Sequence, residues 1–165
     1  MNTLGSHPGA ILFRLIMMAS LILILIYVFL GYVEKAEKAI EIQSIEQTKR
    51  IIDSALVVTF ATYATSGKLD ELVQLDGGNP FELLKEYLLV PASYRGEIES
   101  TDPNSLPDGW YYDLNSGDIL FVPFYLSEIQ VFRVKLDYAD SNKSGSFEAA
   151  DDEFRRISLE KKQPR

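Results

Sequence analysis

Six oxygen-bearing residues near the C-terminal end have the spacing of a cation site. Asp140, Asn142, Ser144, Ser146, Glu148 and Asp151 stand at positions 1, 3, 5, 7, 9 and 12 of one stretch, with Gly145 at position 6 and Phe147 at position 8. That is the layout of an EF-hand-type calcium loop. Alternate side chains and the position-7 carbonyl supply the hard oxygens, and the glycine allows the sharp turn. Calcium takes six to eight such oxygens. Asp151 replaces the usual final Glu and reaches less far, Lys143 adds a positive charge, and Ser144 is a poor ligand. The expectation is a calcium loop; an acidic, solvated turn between two strands accounts for the same residues.

Other residues invite chemistry less strongly. Asp113, Asn115 and Asp118 could hold a metal, but a hairpin turn explains them more simply. Trp110, Tyr111 and Tyr112 could stack on a ligand, and more often such a run is sheet core. Arg155 and Arg156 read as a solvated edge. Asp151 and Asp152 are adjacent carboxylates, with no nucleophile, oxyanion site or phosphate loop around them. The chain has no cysteine and one histidine, His7, so thiolate chemistry is excluded and histidine catalysis has no residue beyond the N-terminal stretch. No G-x-x-x-x-G-K-[ST], H-E-x-x-H or G-x-S-x-G motif occurs. A non-catalytic protein is expected.

The element that must position everything else is a long helix. Residues 15–33 form nineteen consecutive positions without a charge. At about 1.5 Å per residue they reach about 28 Å, close to the hydrocarbon thickness of a bilayer. Tyr27 and Tyr32 near the far end suit the interfacial level. The apolar run exceeds the core of a secretory signal and no A-x-A-like site follows, so a retained anchor is expected over residues 11–33, after a flexible tail at 1–10. Charge alone does not orient it. Arg14 lies before the uncharged stretch, and Lys35, Lys38, Lys49 and Arg50 lie after it among Glu34, Glu37, Glu41 and Glu46.

The helical pattern continues past the span. Ile42, Ile45, Ile52, Leu56, Phe60 and Tyr63 share a stripe, with Gln43, Glu46, Arg50 and Asp53 opposite. Glu46 and Arg50 form an i,i+4 pair in the favourable order. Residues 51–64 are apolar nearly all round and should be buried on more than one side. Ser66-Gly67 ends the helix. A short helix at 69–75 and a second starting at Asn79-Pro80 follow. Strands are expected at 94–98, 109–114, 119–124, 129–138 and 154–159, the second and third joined as a hairpin. Pro123 marks a strand end or edge. The fold class is α+β: one long N-terminal helix packed on a small antiparallel sheet, spanning 34–160, with a tail at 161–165. The net charge is −8 overall and −9 beyond residue 33. Such an acidic domain repels nucleic acid.

A membrane helix that runs on as the spine of a small sheet domain resembles the type IV pilin and pseudopilin fold. The hairpin WYYDLNSGDILFVP and the stretch NPFELLKEYLLVPASYRGE resemble accessory proteins of MSHA-type (mannose-sensitive haemagglutinin) pilus biogenesis. The resemblance implies a bacterial inner-membrane protein, single pass, with the sheet domain in the periplasm. Its implied partners are other pilin or pilus-assembly subunits, met through the span and the sheet domain, besides the lipid bilayer. It also makes a calcium loop near the C-terminus familiar. The chain departs from pilins at the cleavage region. If Ala10 followed a cut at Gly9, the fifth mature residue would be Arg14 where pilins carry Glu. An Arg would repel a neighbour's free amine in an apolar filament core. A minor-pilin-like accessory subunit that stays in the membrane therefore fits better than a major pilin. The alternative is a membrane-tethered periplasmic module that senses or binds a small ligand through its aromatic sheet.

Overall fold

The computed structural model describes residues 8–87, 89–99 and 102–162. The tail expected at 1–7, the end of the second at 163–165 and Leu88 lie outside them. The chain divides into two compact units, Met1–Ile40 and Glu41–Arg165. Helix α1, Pro8–Ser66, begins in the first and ends in the second. Residues 8–10 are thus helical, where a tail was expected.

In the first unit every large apolar side chain from Ile11 to Tyr32 is exposed. This part of α1 is long and apolar enough to cross a membrane, and none of its most apolar window is buried. A helix without a covering face in water has nowhere to place these groups, and its length and composition are compatible with a single membrane span.

The second unit is an α+β domain. Its five strands are β1 (Tyr94–Ile98), β2 (Gly109–Asp113), β3 (Asp118–Val122), β4 (Gln130–Ala139) and β5 (Glu153–Lys161), side by side in chain order. The β2–β3, β3–β4 and β4–β5 pairs are antiparallel, whereas β1 pairs with β2 in parallel. The expected all-antiparallel sheet is corrected at this edge. Ten residues, with a 3-10 turn at Pro103–Ser105, separate β1 from a β2 that runs in the same direction.

Burial explains the helix register. Ile45, Thr48, Ile52, Leu56 and Thr59 are buried along one stripe of α1. Ile45, Ile52 and Leu56 share a core with Trp110, Tyr112, Ile119, Phe121, Phe132, Val134, Leu136, Ile157 and Leu159 from the sheet. Each such fully buried aliphatic side chain contributes about 1.5–3 kcal/mol. Trp110 sits among rings, with centroids 4.9 Å from Phe121 and 5.4 Å from Phe132. Strand alternation sends Tyr111 to the other face, where it packs with Leu120 and Val122 under Ile98, Leu106, Ile129 and Val131.

Two helix expectations are corrected. Ile42 is 49% exposed and lies off the buried stripe; Val57 and Val58 are also exposed, so residues 51–64 are covered on one side only. The expected Glu46–Arg50 pair is absent among the ion pairs of the described residues, and Glu46 instead meets Lys49 at 3.7 Å. Lys49 lies on the sheet side, its ammonium 5.9 Å from the Phe132 ring centroid.

Between α1 and the sheet lie a 3-10 helix at Leu69–Leu75 and helix α2, Pro80–Glu86. Asn79 caps α2: its side-chain oxygen accepts from Phe81 N, while its amide donates to the Tyr94 hydroxyl and to Glu97. The turn at 76–78 is keyed to the sheet. Gly77 N donates to the Val134 carbonyl, and the Tyr112 hydroxyl donates to the Gly77 carbonyl at 2.8 Å. A Cβ on Gly117 would meet that carbonyl oxygen at 2.8 Å, and Gly117 has φ +69°, so both space and backbone require glycine there.

Candidate functional site

Five of the six expected cation ligands are strung together by hydrogen bonds. Asp140 Oδ1 and Asn142 Oδ1 both accept from Ser144 N, at 3.0 and 2.9 Å. Asp140 Oδ2 accepts from Gly145 N at 2.9 Å. Ser144 Oγ donates to the Ser146 carbonyl, and the Asn142 amide donates to Glu148 Oε2. Left-handed backbone at Lys143 (φ 58°) and Gly145 (φ 81°) folds the chain tightly enough for these bonds. Asp151 is exposed and meets the group through its backbone, its N–H donating to the Glu148 carbonyl at 3.1 Å.

Asp152, the next residue, holds the base of the loop. Its carboxylate accepts from Ser141 N at 2.9 Å and from Glu148 N at 3.0 Å, closing the loop across its base. Asp70, from the Leu69–Leu75 turn, accepts from Ala149 N at 2.9 Å. Below the loop, Phe147 is buried against Tyr138. Among the described residues no three His, Cys, Asp or Glu side chains gather as a metal site. The loop thus offers two carboxylates, Asp140 and Glu148, with neutral oxygens from Asn142, Ser144 and Ser146.

The Asp113 cluster is a turn. Asp113 Oδ1 accepts from Asn115 N and its other oxygen accepts from the Ser116 hydroxyl. Asp118 is buried and faces the Lys162 ammonium at 2.7 Å and the Arg133 guanidinium at 3.6 Å. Trp110, Tyr111 and Tyr112 are buried, as core residues are, and present no open face to a ligand. Burial raises the Tyr112 and Tyr94 hydroxyls above the usual tyrosine range; at Tyr94 the Asn79 hydrogen bond opposes part of this. Arg155 and Arg156 are exposed on β5, the sheet edge, where Arg155 is the extra residue of a bulge.

A second constellation was not legible in the sequence. Glu41 accepts three consecutive backbone N–H groups, from Phe124 at 2.6 Å, Tyr125 at 3.0 Å and Leu126 at 2.8 Å. The turn after β3 is thereby hung from the first residue of the second unit. Asp53 does the same for β5, accepting from Leu159 N at 2.7 Å, and Asp76 for β4, accepting from Leu136 N at 3.2 Å. Acids on the helix and on the turn at 76–78 thus satisfy N–H groups that the strand ladder leaves over. An apolar groove of about 400 Å³ lies elsewhere on α1, lined by Arg50, Ile51, Ala55, Val58, Tyr87 and Leu89.

No protein-family model, curated protein or solved structure matches this chain.

Proposed function

We propose that this chain is a non-catalytic, pilin-like accessory subunit of a type IV, MSHA-type pilus assembly system. It is anchored in a bacterial inner membrane by one span, with the sheet domain in the periplasm. The observation that carries this reading is a helix of two characters. Its N-terminal part is apolar all round and uncovered, and its C-terminal part is the back of a mostly antiparallel sheet. The span would pack against transmembrane helices of partner subunits, and the exposed Val57 and Val58 leave part of α1 in the sheet domain open to a periplasmic partner.

Crosslinking in native membranes followed by purification tests the proposal: pilus-assembly proteins should be captured. Capture of a signalling protein instead would favour the ligand-binding alternative. That alternative would use a groove such as the one on α1, since Trp110, Tyr111 and Tyr112 are buried.

Calcium belongs to the same proposal as a reinforcement of the loop at 140–152. Two carboxylates place its affinity in the range of extracellular modules, about 10⁻⁴–10⁻³ M. Binding to the native state alone raises stability by RT ln(1 + [L]/Kd), about 1.4 kcal/mol at tenfold excess over Kd. Melting the full chain in detergent at millimolar calcium and in chelator should show this difference, and equal melting curves would remove calcium from the reading.

A further inference from the structure

The turn held by Glu41 carries the most exposed aromatic side chain of the sheet domain. Phe124 is 70% exposed and Tyr125 40% exposed, their rings edge-to-face at 4.8 Å. Ile42, next to Glu41 in sequence, is exposed as well. Within this unit an uncovered phenylalanine is costly in water, and a turn so firmly pinned cannot fold it inward. Three N–H groups on one carboxylate fix the backbone of 124–126, and hydrogen bonds to an ionised acceptor are the strong ones.

The pin also limits where the turn can be. Glu41 lies eight residues beyond Val33, the last residue of the uncharged stretch. Eight residues of α1 cover about 12 Å along the helix. Aromatic side chains are favoured at the membrane–water boundary, where an apolar body meets a wet rim. The carboxylate that would otherwise oppose such an approach is occupied by its three donors.

We infer that the Phe124–Tyr125 turn is a second membrane contact: it docks into the interfacial layer of the bilayer that holds the span, and Glu41 positions it there. The occupant of this aromatic patch is the lipid interface. The inference rests on the proposed span, and three tryptophan reporters separate the two. Leu23→Trp lies in the span, Phe124→Trp in the turn, and Leu114→Trp on the exposed hairpin loop at the opposite end of β2 and β3. The buried Trp110 of the parent chain gives the background.

The full chain is reconstituted into two sets of phosphatidylcholine vesicles, with acyl chains brominated near the headgroup to report the turn and near the chain ends to report Leu23→Trp. Emission from Phe124→Trp should shift to the blue and lose most of its intensity, while Leu114→Trp should keep the emission of a water-exposed indole. Leu23→Trp reports the anchor. Quenched Leu23→Trp with unquenched Phe124→Trp overturns the docking and leaves the span standing. Unquenched Leu23→Trp overturns both. Quenching of Phe124→Trp and Leu114→Trp alike overturns the docking as a property of this turn. Glu41→Gln added to Phe124→Trp should reduce the quenching without altering the Leu23→Trp signal, and unchanged quenching would remove Glu41 as the positioning residue.

Discussion

Residues 11–33 and 41–66 belong to one helix, and their side chains meet different surroundings. In the first stretch every large apolar side chain up to Tyr32 is exposed and there is no acid. In the second, Ile45, Ile52 and Leu56 are sealed against the sheet while Val57 and Val58 face outward. Glu41 and Asp53 of the second stretch reach across to backbone N–H groups of the turn after β3 and of β5. The difference lies in what completes each surface. A helix apolar on every side needs a surrounding solvent of its own kind, whereas a helix apolar on one stripe needs a single covering layer and can spend its acids on that layer's spare donors.

Core truncation should break the comparison most sharply. Ile52→Ala or Leu56→Ala should cost about 2–5 kcal/mol, read by chemical unfolding of the full chain in detergent with near-ultraviolet circular dichroism. Leu23→Ala should leave the same transition within about 0.5 kcal/mol, because no packed layer lies on it. A shared loss would mean that the two stretches are one core.

The next effect separates the surfaces by solvent. Leu23→Arg places a charge in the apolar stretch at about 2.5–3.5 kcal/mol and should raise the fraction released by alkaline carbonate above that of the parent chain. Val57→Arg, on the exposed side of the second stretch, should leave extraction unchanged.

Removing an acid that serves as acceptor is smaller. Glu41→Ala should lower domain stability by about 1.5–3 kcal/mol, the range for hydrogen bonds to a charged group, with amide exchange accelerating at Phe124, Tyr125 and Leu126. Acceleration spread evenly over the sheet would mean that the pin is not local.

The smallest effect sharpens the sheet side. Tyr112→Phe loses the hydrogen bond to Gly77 and should cost about 1 kcal/mol at neutral pH. Because burial raises the folded Tyr112 pKa, its contribution is complete below the unfolded tyrosine value of about 10 and is lost as pH rises through the folded value. The variant should therefore show a shallower alkaline decline than the parent chain, measured as unfolding free energy against pH.

Much of the fold was legible because local rules acted alone. The alternation of Phe132, Val134 and Leu136 places them on one buried face, and Asn79-Pro80 starts α2 with the expected side-chain cap. The parallel β1–β2 pair was not legible, since strand direction depends on where a ten-residue connection returns. At the candidate cation loop the spacing brought Asp140, Asn142, Ser144, Ser146 and Glu148 into one hydrogen-bonded group. The role of Asp152 in closing the loop's base escaped the pattern, because it depends on how the chain enters β5. A pair of adjacent acids just before a strand was the only signal for it.

What the sequence determined by itself was the run of uncharged residues at 15–33, the stripe through Ile45, Ile52 and Leu56, and the hairpin around Asn115 to Gly117. Each is a property of neighbours along the chain, set by rise, period and turn preference. Only the tertiary structure decided that Glu41 would hold a turn 83 residues away, that Ile42 would stay outside, and that Lys49 would take Glu46 from Arg50. A carboxylate's partner is whichever donor the packed strands leave unpaired, and that is fixed only when the sheet has closed on the helix.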